Sequence, residues 1–276
     1  MSHPDNNTQS KLFYQAHGNR PRVARAEGVY VWDQDGKRYI DASSGPMVSN
    51  IGHSNPRVIA AMKEQMDAAT FAYRLHFEND AAEELATLTA SLMPDGLDRI
   101  FFTSGGSEAI ETCLKLARQF AIANDEPERH KVVSMTPSYH GATLGCVAVT
   151  GMELFVDPFR PMLREMPKIA APTCYLDRDN LSADERGVRY AEQLRATIEE
   201  EGPESVRAFL MEPVGGASTG ALVAPDSWHA RVREICSEYG VLLIADEVMT
   251  GAGRTGRFLA VEHWNTRPDI IGMAKG

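Results

Sequence analysis

From about residue 98 onward, short apolar runs alternate with helix-patterned segments, and no other feature constrains the fold as tightly. The runs at 98–103, 131–135, 206–210, 241–245 and 269–273 read as strands. The segments 108–123 and 227–239 carry apolar residues at helical spacing between them. Strands that are apolar throughout belong to a sheet covered on both faces, so the pattern predicts an α/β fold: a mainly parallel sheet wrapped by helices.

The first part of the chain reads differently. Residues 1–27 are polar, with scattered Lys, Arg and Gly, and read as a loosely ordered arm or lid. Residues 28–41 read as a β-hairpin turning at Asp35-Gly36. A loop of small residues, 45–53, follows, and helices are expected at 56–70 and 78–93. The expected division is an N-terminal segment over 1–65 and a large domain over 66–276.

Bulk properties narrow the function classes. A net charge of −10 argues against nucleic acid or an anionic membrane surface as partner. No window approaches ~18 consecutive apolar residues, so no membrane span is expected. The polar start lacks the apolar stretch of a signal peptide. Cys113, Cys146, Cys174 and Cys236 form no CxxC pair, which speaks against a structural zinc site or a disulfide framework. A reducing cytoplasm is the expected location.

Five signals carry chemistry. Thr103-Ser104-Gly105-Gly106-Ser107-Glu108 leaves a strand-like run and enters a helix. Its glycines allow close backbone approach, and the helix start offers unpaired N–H groups to a phosphate. The same turn reads equally as a plain Gly-Ser helix cap. Tyr139-His140-Gly141 follows the 131–135 run; Tyr139 can stack on a flat heterocycle or serve as a packing residue. Glu212 and Asp246 each end an apolar run, and each reads either as a crevice acid or as a turn former. Val248 shares Asp246's strand parity. Lys275 directly follows the last apolar run. A lysine and an acid at neighbouring strand ends suit pyridoxal phosphate (PLP), where the lysine forms the Schiff base and the acid partners the ring nitrogen.

Taken in order, these stretches resemble the class III (omega-type) aminotransferases of the fold type I PLP enzymes. The resemblance rests on Thr103-Ser104-Gly105-Gly106-Ser107-Glu108-Ala109-Ile110-Glu111, Ser138-Tyr139-His140-Gly141 and Glu212-Pro213. It extends through Ile244-Ala245-Asp246-Glu247-Val248 with Gly253-Arg254-Thr255-Gly256, and through Pro268-Asp269-Ile270-Ile271-Gly272-Met273-Ala274-Lys275-Gly276. It implies that Gly106 and Ser107 hold the cofactor phosphate, Tyr139 and Val248 cover the two ring faces, and Asp246 keeps the pyridine nitrogen protonated. Lys275 would carry the cofactor as an aldimine and move the substrate proton. Glu212 would lie near the cofactor hydroxyl. Met47, Val48 and Tyr73 would line the substrate side. One departure is Gly105, where many members carry Ser.

The implied reaction moves an amino group from an amine or amino acid to a keto acid or aldehyde. Decarboxylation, 1,2-amino migration and racemisation use the same lysine, acid and phosphate turn, and a non-catalytic truncated fragment is a further alternative. The chain stops one residue after Lys275, where the family fold continues. The expectation is therefore that a small C-terminal domain is missing, that the working form is a homodimer of a longer chain, and that residues 1–276 alone are inactive.

Overall fold

A computed structural model describes residues 11–14, 18 and 20–275. The chain separates into two compact units, Met1–Phe77 and Glu78–Gly276.

The first unit holds a three-stranded antiparallel sheet, β1 (Val23–Glu27), β2 (Tyr30–Asp33) and β3 (Arg38–Ile40), in sequence order. The expected hairpin is β2–β3. Its turn is fixed by Asp33, whose Oδ1 accepts the Asp35 and Lys37 N–H groups while Oδ2 accepts the Tyr39 hydroxyl at 2.8 Å. The arm reading of 1–27 fails over β1, which pairs with β2 and carries Arg25 over the Trp32 ring, 3.4 Å from its centroid. Residues 1–10, 15–17 and 19 of that arm lie outside the described residues. A distorted four-residue turn, α1 (Ser44–Met47), follows, then α2 (Pro56–Ala68), capped by Asn55 with Pro56 in its first turn.

The second unit begins with α3 (Asp80–Ser91), capped by Asn79. It continues with α4 (Gly106–Ala123), β4 (Lys131–Thr136), α5 (Leu144–Val149), α6 (Glu153–Val156), β5 (Lys168–Ala170), α7 (Ala183–Glu201), β6 (Val206–Met211), α8 (Asp226–Tyr239), β7 (Leu242–Glu247) and β8 (Ile270–Met273). The strands form one parallel sheet in the order β5-β4-β6-β7-β8.

Strand parity divides the core. Val133 and Met135 of β4, Phe209 and Met211 of β6, and Leu243 and Ala245 of β7 pack with Leu194 and Ile198 of α7 and Val232 and Ile235 of α8. The alternate positions, Val132, Ala208, Leu210 and Ile244, pack with Ile110, Cys113 and Ala117 of α4 and Cys146 and Val149 of α5. Phe120 of α4 is half-exposed, with the Arg207 guanidinium over its ring at 4.6 Å, and Ala121 beside it is buried.

The strand expected at 98–103 does not form. Among the described residues β8 pairs only with β7. Between β8 and 97–103 lies a cavity of about 580 Å³, lined by Ile100, Phe102, Leu116, Ile271 and Met273. Without a neighbour at ladder distance, an extended segment has no strand hydrogen bonds to make.

Candidate functional site

The strand order places a topological switch between β4 and β6: β5 lies on one side of β4, while β6, β7 and β8 step away on the other. Ligands in open α/β sheets bind in the crevice beyond the strand ends at such a point. The segments leaving β4 and β6 meet there. Glu212 Oε2 accepts the Tyr139 N–H at 3.3 Å, and its Oε1 accepts the Gly216 N–H at 3.0 Å. The Tyr139 ring is partly exposed and contacts Phe155 edge-on, centroids 5.4 Å apart.

Parity also sorts the two acids of β7. Asp246 continues the face of Ile244, toward α4 and α5, while Glu247 continues that of Ala245, toward α7 and α8. Asp246 is buried. Its Oδ2 pairs with His140 Nδ1 at 2.8 Å, and its Oδ1 accepts the Val248 N–H at 3.1 Å. Glu247 is tied to the Thr250 hydroxyl and to the Val261 N–H, and so shapes the loop after β7. Burial raises the pKa of Glu247, and burial likewise raises that of Glu212 despite His140 nearby. Burial pushes the Cys113 and Cys146 thiols up to about 12, so neither is a thiolate at neutral pH.

At the first turn of α4, Gly105 is extended and no side chain caps the helix. Gly106 is required by packing: a Cβ there would lie 2.9 Å from Val248 Cγ1 and 3.5 Å from Ala274 Cβ. The start of α4, the end of β7 and the end of β8 therefore meet at Gly106. Gly272 plays the same part lower down, because its register partner is Asp246 and a Cβ would strike Ile110. Ser107 Oγ accepts the Ala142 N–H at 3.0 Å, which leaves its own proton to donate. Lys275 is half-buried, adopts φ +57°, and lines the 580 Å³ cavity with Thr103, Ser104 and Gly105.

Gly106, Ser107, Tyr139, Glu212, Asp246, Val248 and Lys275 thus all belong to the carboxyl ends of the strands or the start of α4. Met47, Val48 and Tyr73 belong to the first unit. Met47 ends α1 at φ +62°, Val48 follows it half-exposed, and Tyr73 contacts His76 edge-on. Ser44 and Met47 are non-glycine residues at positive φ within four positions, which is local strain. Two residues escaped the sequence reading. His140 has no role that the sequence assigns; its one signal is its position between a ring residue and a glycine. Glu111, which holds Thr143 Oγ1 and Cys146 N, had no signal beyond its spacing from Ser107.

The residues present fit PLP. They comprise an uncapped helix start free of Cβ bulk at Gly106, a hydroxyl with an available proton, a buried carboxylate held in place for a cationic ring nitrogen, and an amine one strand away. Among the described residues there is no group of three His, Cys, Asp or Glu able to hold a metal ion, and no helix long and apolar enough to cross a membrane.

The profile described as "Aminotransferase class-III" matches residues 14–276. An aminotransferase of Bacillus subtilis, YodT, described as uncharacterized, is 42% identical over 257 residues, covering 93% of this chain and 57% of the relative. The putrescine–pyruvate aminotransferase of Pseudomonas aeruginosa is 36% identical over 256 residues, covering 92% and 56%. Among solved structures, a thermostable (S)-enantioselective omega-transaminase from Thermomicrobium roseum superposes with a TM-score of 0.90 at 36% identity, over 97% of this chain and 61% of that one. The omega transaminase from Pseudomonas jessenii in complex with PMP gives 0.92 at 31% identity, over 100% and 62%. The chain spans a little over half the length of these curated relatives.

Proposed function

The chain belongs to the class III aminotransferases, and from that membership we propose that it forms the cofactor-binding part of a PLP-dependent transaminase. The observation that carries the reading is the Asp246 carboxylate, buried and held by His140 and the Val248 N–H, on the strand next to β8, which leads into Lys275.

When bound, PLP supplies an aldehyde that condenses with amines and a ring that takes up the electron pair released when a substrate C–H bond breaks. Gly106 and Ser107 hold the phosphate with the backbone and hydroxyl groups at the start of α4. Tyr139 and Val248 cover the ring faces. Asp246 keeps a proton on the ring nitrogen, and Glu212 stands by the ring hydroxyl. Lys275 would hold the cofactor through its amine and would serve as the base that moves the proton at the substrate carbon.

The donor is a terminal or side-chain amine, such as a diamine or a small amino acid; the putrescine–pyruvate relative supports this class. The acceptor is a keto acid or aldehyde. The proposed working form is a cytoplasmic homodimer; the curated relatives are longer than this chain, which spans a little over half of them.

The test is the absorbance change of the loaded protein with a panel of amines, run beside an assay for released carbon dioxide. Amine-dependent conversion without carbon dioxide supports transamination; carbon dioxide release moves the reading to decarboxylation. Asp246→Asn should retain cofactor and lose most activity, because the ring nitrogen is then less often protonated. Activity within about threefold of wild type, less than the ~10²-fold that loss of one preorganised electrostatic group commonly costs, contradicts that role.

A further inference from the structure

Beyond the acid–lysine pair, several contacts converge on Glu111. It lies on α4 four residues after Ser107, so the two side chains leave the same helix face. Glu111 Oε2 accepts the Thr143 hydroxyl at 2.5 Å and the Cys146 N–H at 3.2 Å. Ser107 Oγ accepts the Ala142 N–H, and Cys146 Sγ reaches the Ser107 carbonyl at 3.2 Å. Two glycines make room for these contacts. Gly141 has φ +130°, and a Cβ there would lie 2.8 Å from Ser107 Oγ. A Cβ on Gly145 would overlap the Glu111 carboxylate.

We infer that Glu111 is a positioning residue: it locks the segment bearing Tyr139 and His140 onto the helix that seats the phosphate. The inference rests on the proposed function. α5 has six residues, too few to hold its own conformation, so the segment from His140 to Cys146 takes its placement from α4. A carboxylate suits the task because two donors converge on one of its oxygens, and charged acceptors make stronger bonds than neutral ones. His140 sits at the start of this segment and grips Asp246 at its other end. Through that chain of contacts, the first two turns of α4 fix both a ring-stacking residue and the partner of the ring acid.

A role in general stability would weaken all ligands alike or none. A positioning role separates ring from phosphate, because Gly106 and Ser107 keep their helix when Glu111 is lost. The experiment compares wild type, Glu111→Gln, Glu111→Ala and Thr143→Val. It measures affinity for PLP and for inorganic phosphate by titration, and amide hydrogen exchange over residues 139–146 without ligand. In Glu111→Ala the Kd for PLP should rise about tenfold, the scale of one charge-assisted hydrogen bond, while that for phosphate changes by less than about threefold. Exchange over 139–146 should quicken about tenfold while α4 stays protected. Glu111→Gln keeps an acceptor oxygen and should recover most of both effects. Thr143→Val removes one donor and should show part of them, a check that survives if the alanine variant does not fold. Unchanged exchange over 139–146, equal weakening of both ligands, or no recovery with Gln overturns the inference. A wild type that takes phosphate but not PLP refutes the proposed function, and the exchange comparison still decides the role of Glu111.

Discussion

At the scale of single residues, what matters is which face of a strand a side chain occupies. Asp246 and Glu247 are adjacent acids, yet one turns to the crevice and the other clamps a loop, because strand side chains alternate. Asp246, Val248, Glu212 and Lys275 were legible because each sits at the end of an apolar run. His140 was not, because its partner is 106 residues away and no local pattern announces a long-range pair. His140→Phe should leave a buried carboxylate with one donor fewer. The expected cost is about 1–3 kcal/mol in urea unfolding, and His140→Phe with Asp246→Asn should cost less than the two single changes summed. Simple additivity would deny the pairing. A second residue-scale prediction concerns pH. His229 is fully buried between Trp228 and Trp264, with neither ring nitrogen partnered, and burial pushes its pKa down to about 3. The unfolded chain takes up that proton near pH 6.5 and the folded one does not, so stability falls as pH drops from about 6.5 toward 3. By pH 5 the loss is about 2 kcal/mol. His229→Leu should flatten the stability–pH curve over that window; an unchanged slope would show that other groups set it.

At the scale of elements, periodicity found α2, α3, α4, α8, β4, β6, β7 and β8 to within a few residues. It named nothing between β4 and β6, where α5, α6, β5 and the 19-residue α7 lie. α7 did carry a signal: Ser182 and Glu185 form a reciprocal capping box at its start. β5 is three residues long and left no pattern to read. The segment 98–103 shows the opposite failure. Its apolar run is strand-like, but strand formation depends on a neighbour that sequence periodicity does not supply, and the described sheet ends at β8. The contact of β8 with α4 yields a sharper test. Gly272 admits Ile110 against the strand, so Gly272→Ala forces a methyl into a packed site. Overpacking of this kind typically costs about 1–3 kcal/mol. Thermal unfolding should register it as a lower Tm, and an unaltered Tm would mean that α4 and β8 do not pack as described.

At the scale of the molecule, the mainly parallel α/β architecture followed from one alternation of patterns, and membership of the class III aminotransferases followed from five stretches spread over residues 103–276. What sequence alone left open was whether those stretches share one crevice. The second unit brings them to the strand ends around a switch point, linked by the Tyr139–Glu212, His140–Asp246 and Gly106–Val248 contacts. The proposed function requires that this crevice bind PLP through Lys275. The most direct measurement is borohydride reduction after incubation with PLP, followed by peptide mapping. The pyridoxyl mass should appear on the peptide containing Met273-Ala274-Lys275-Gly276, and Lys275→Ala should abolish it. A label on another lysine, or none in a folded protein, would contradict the account.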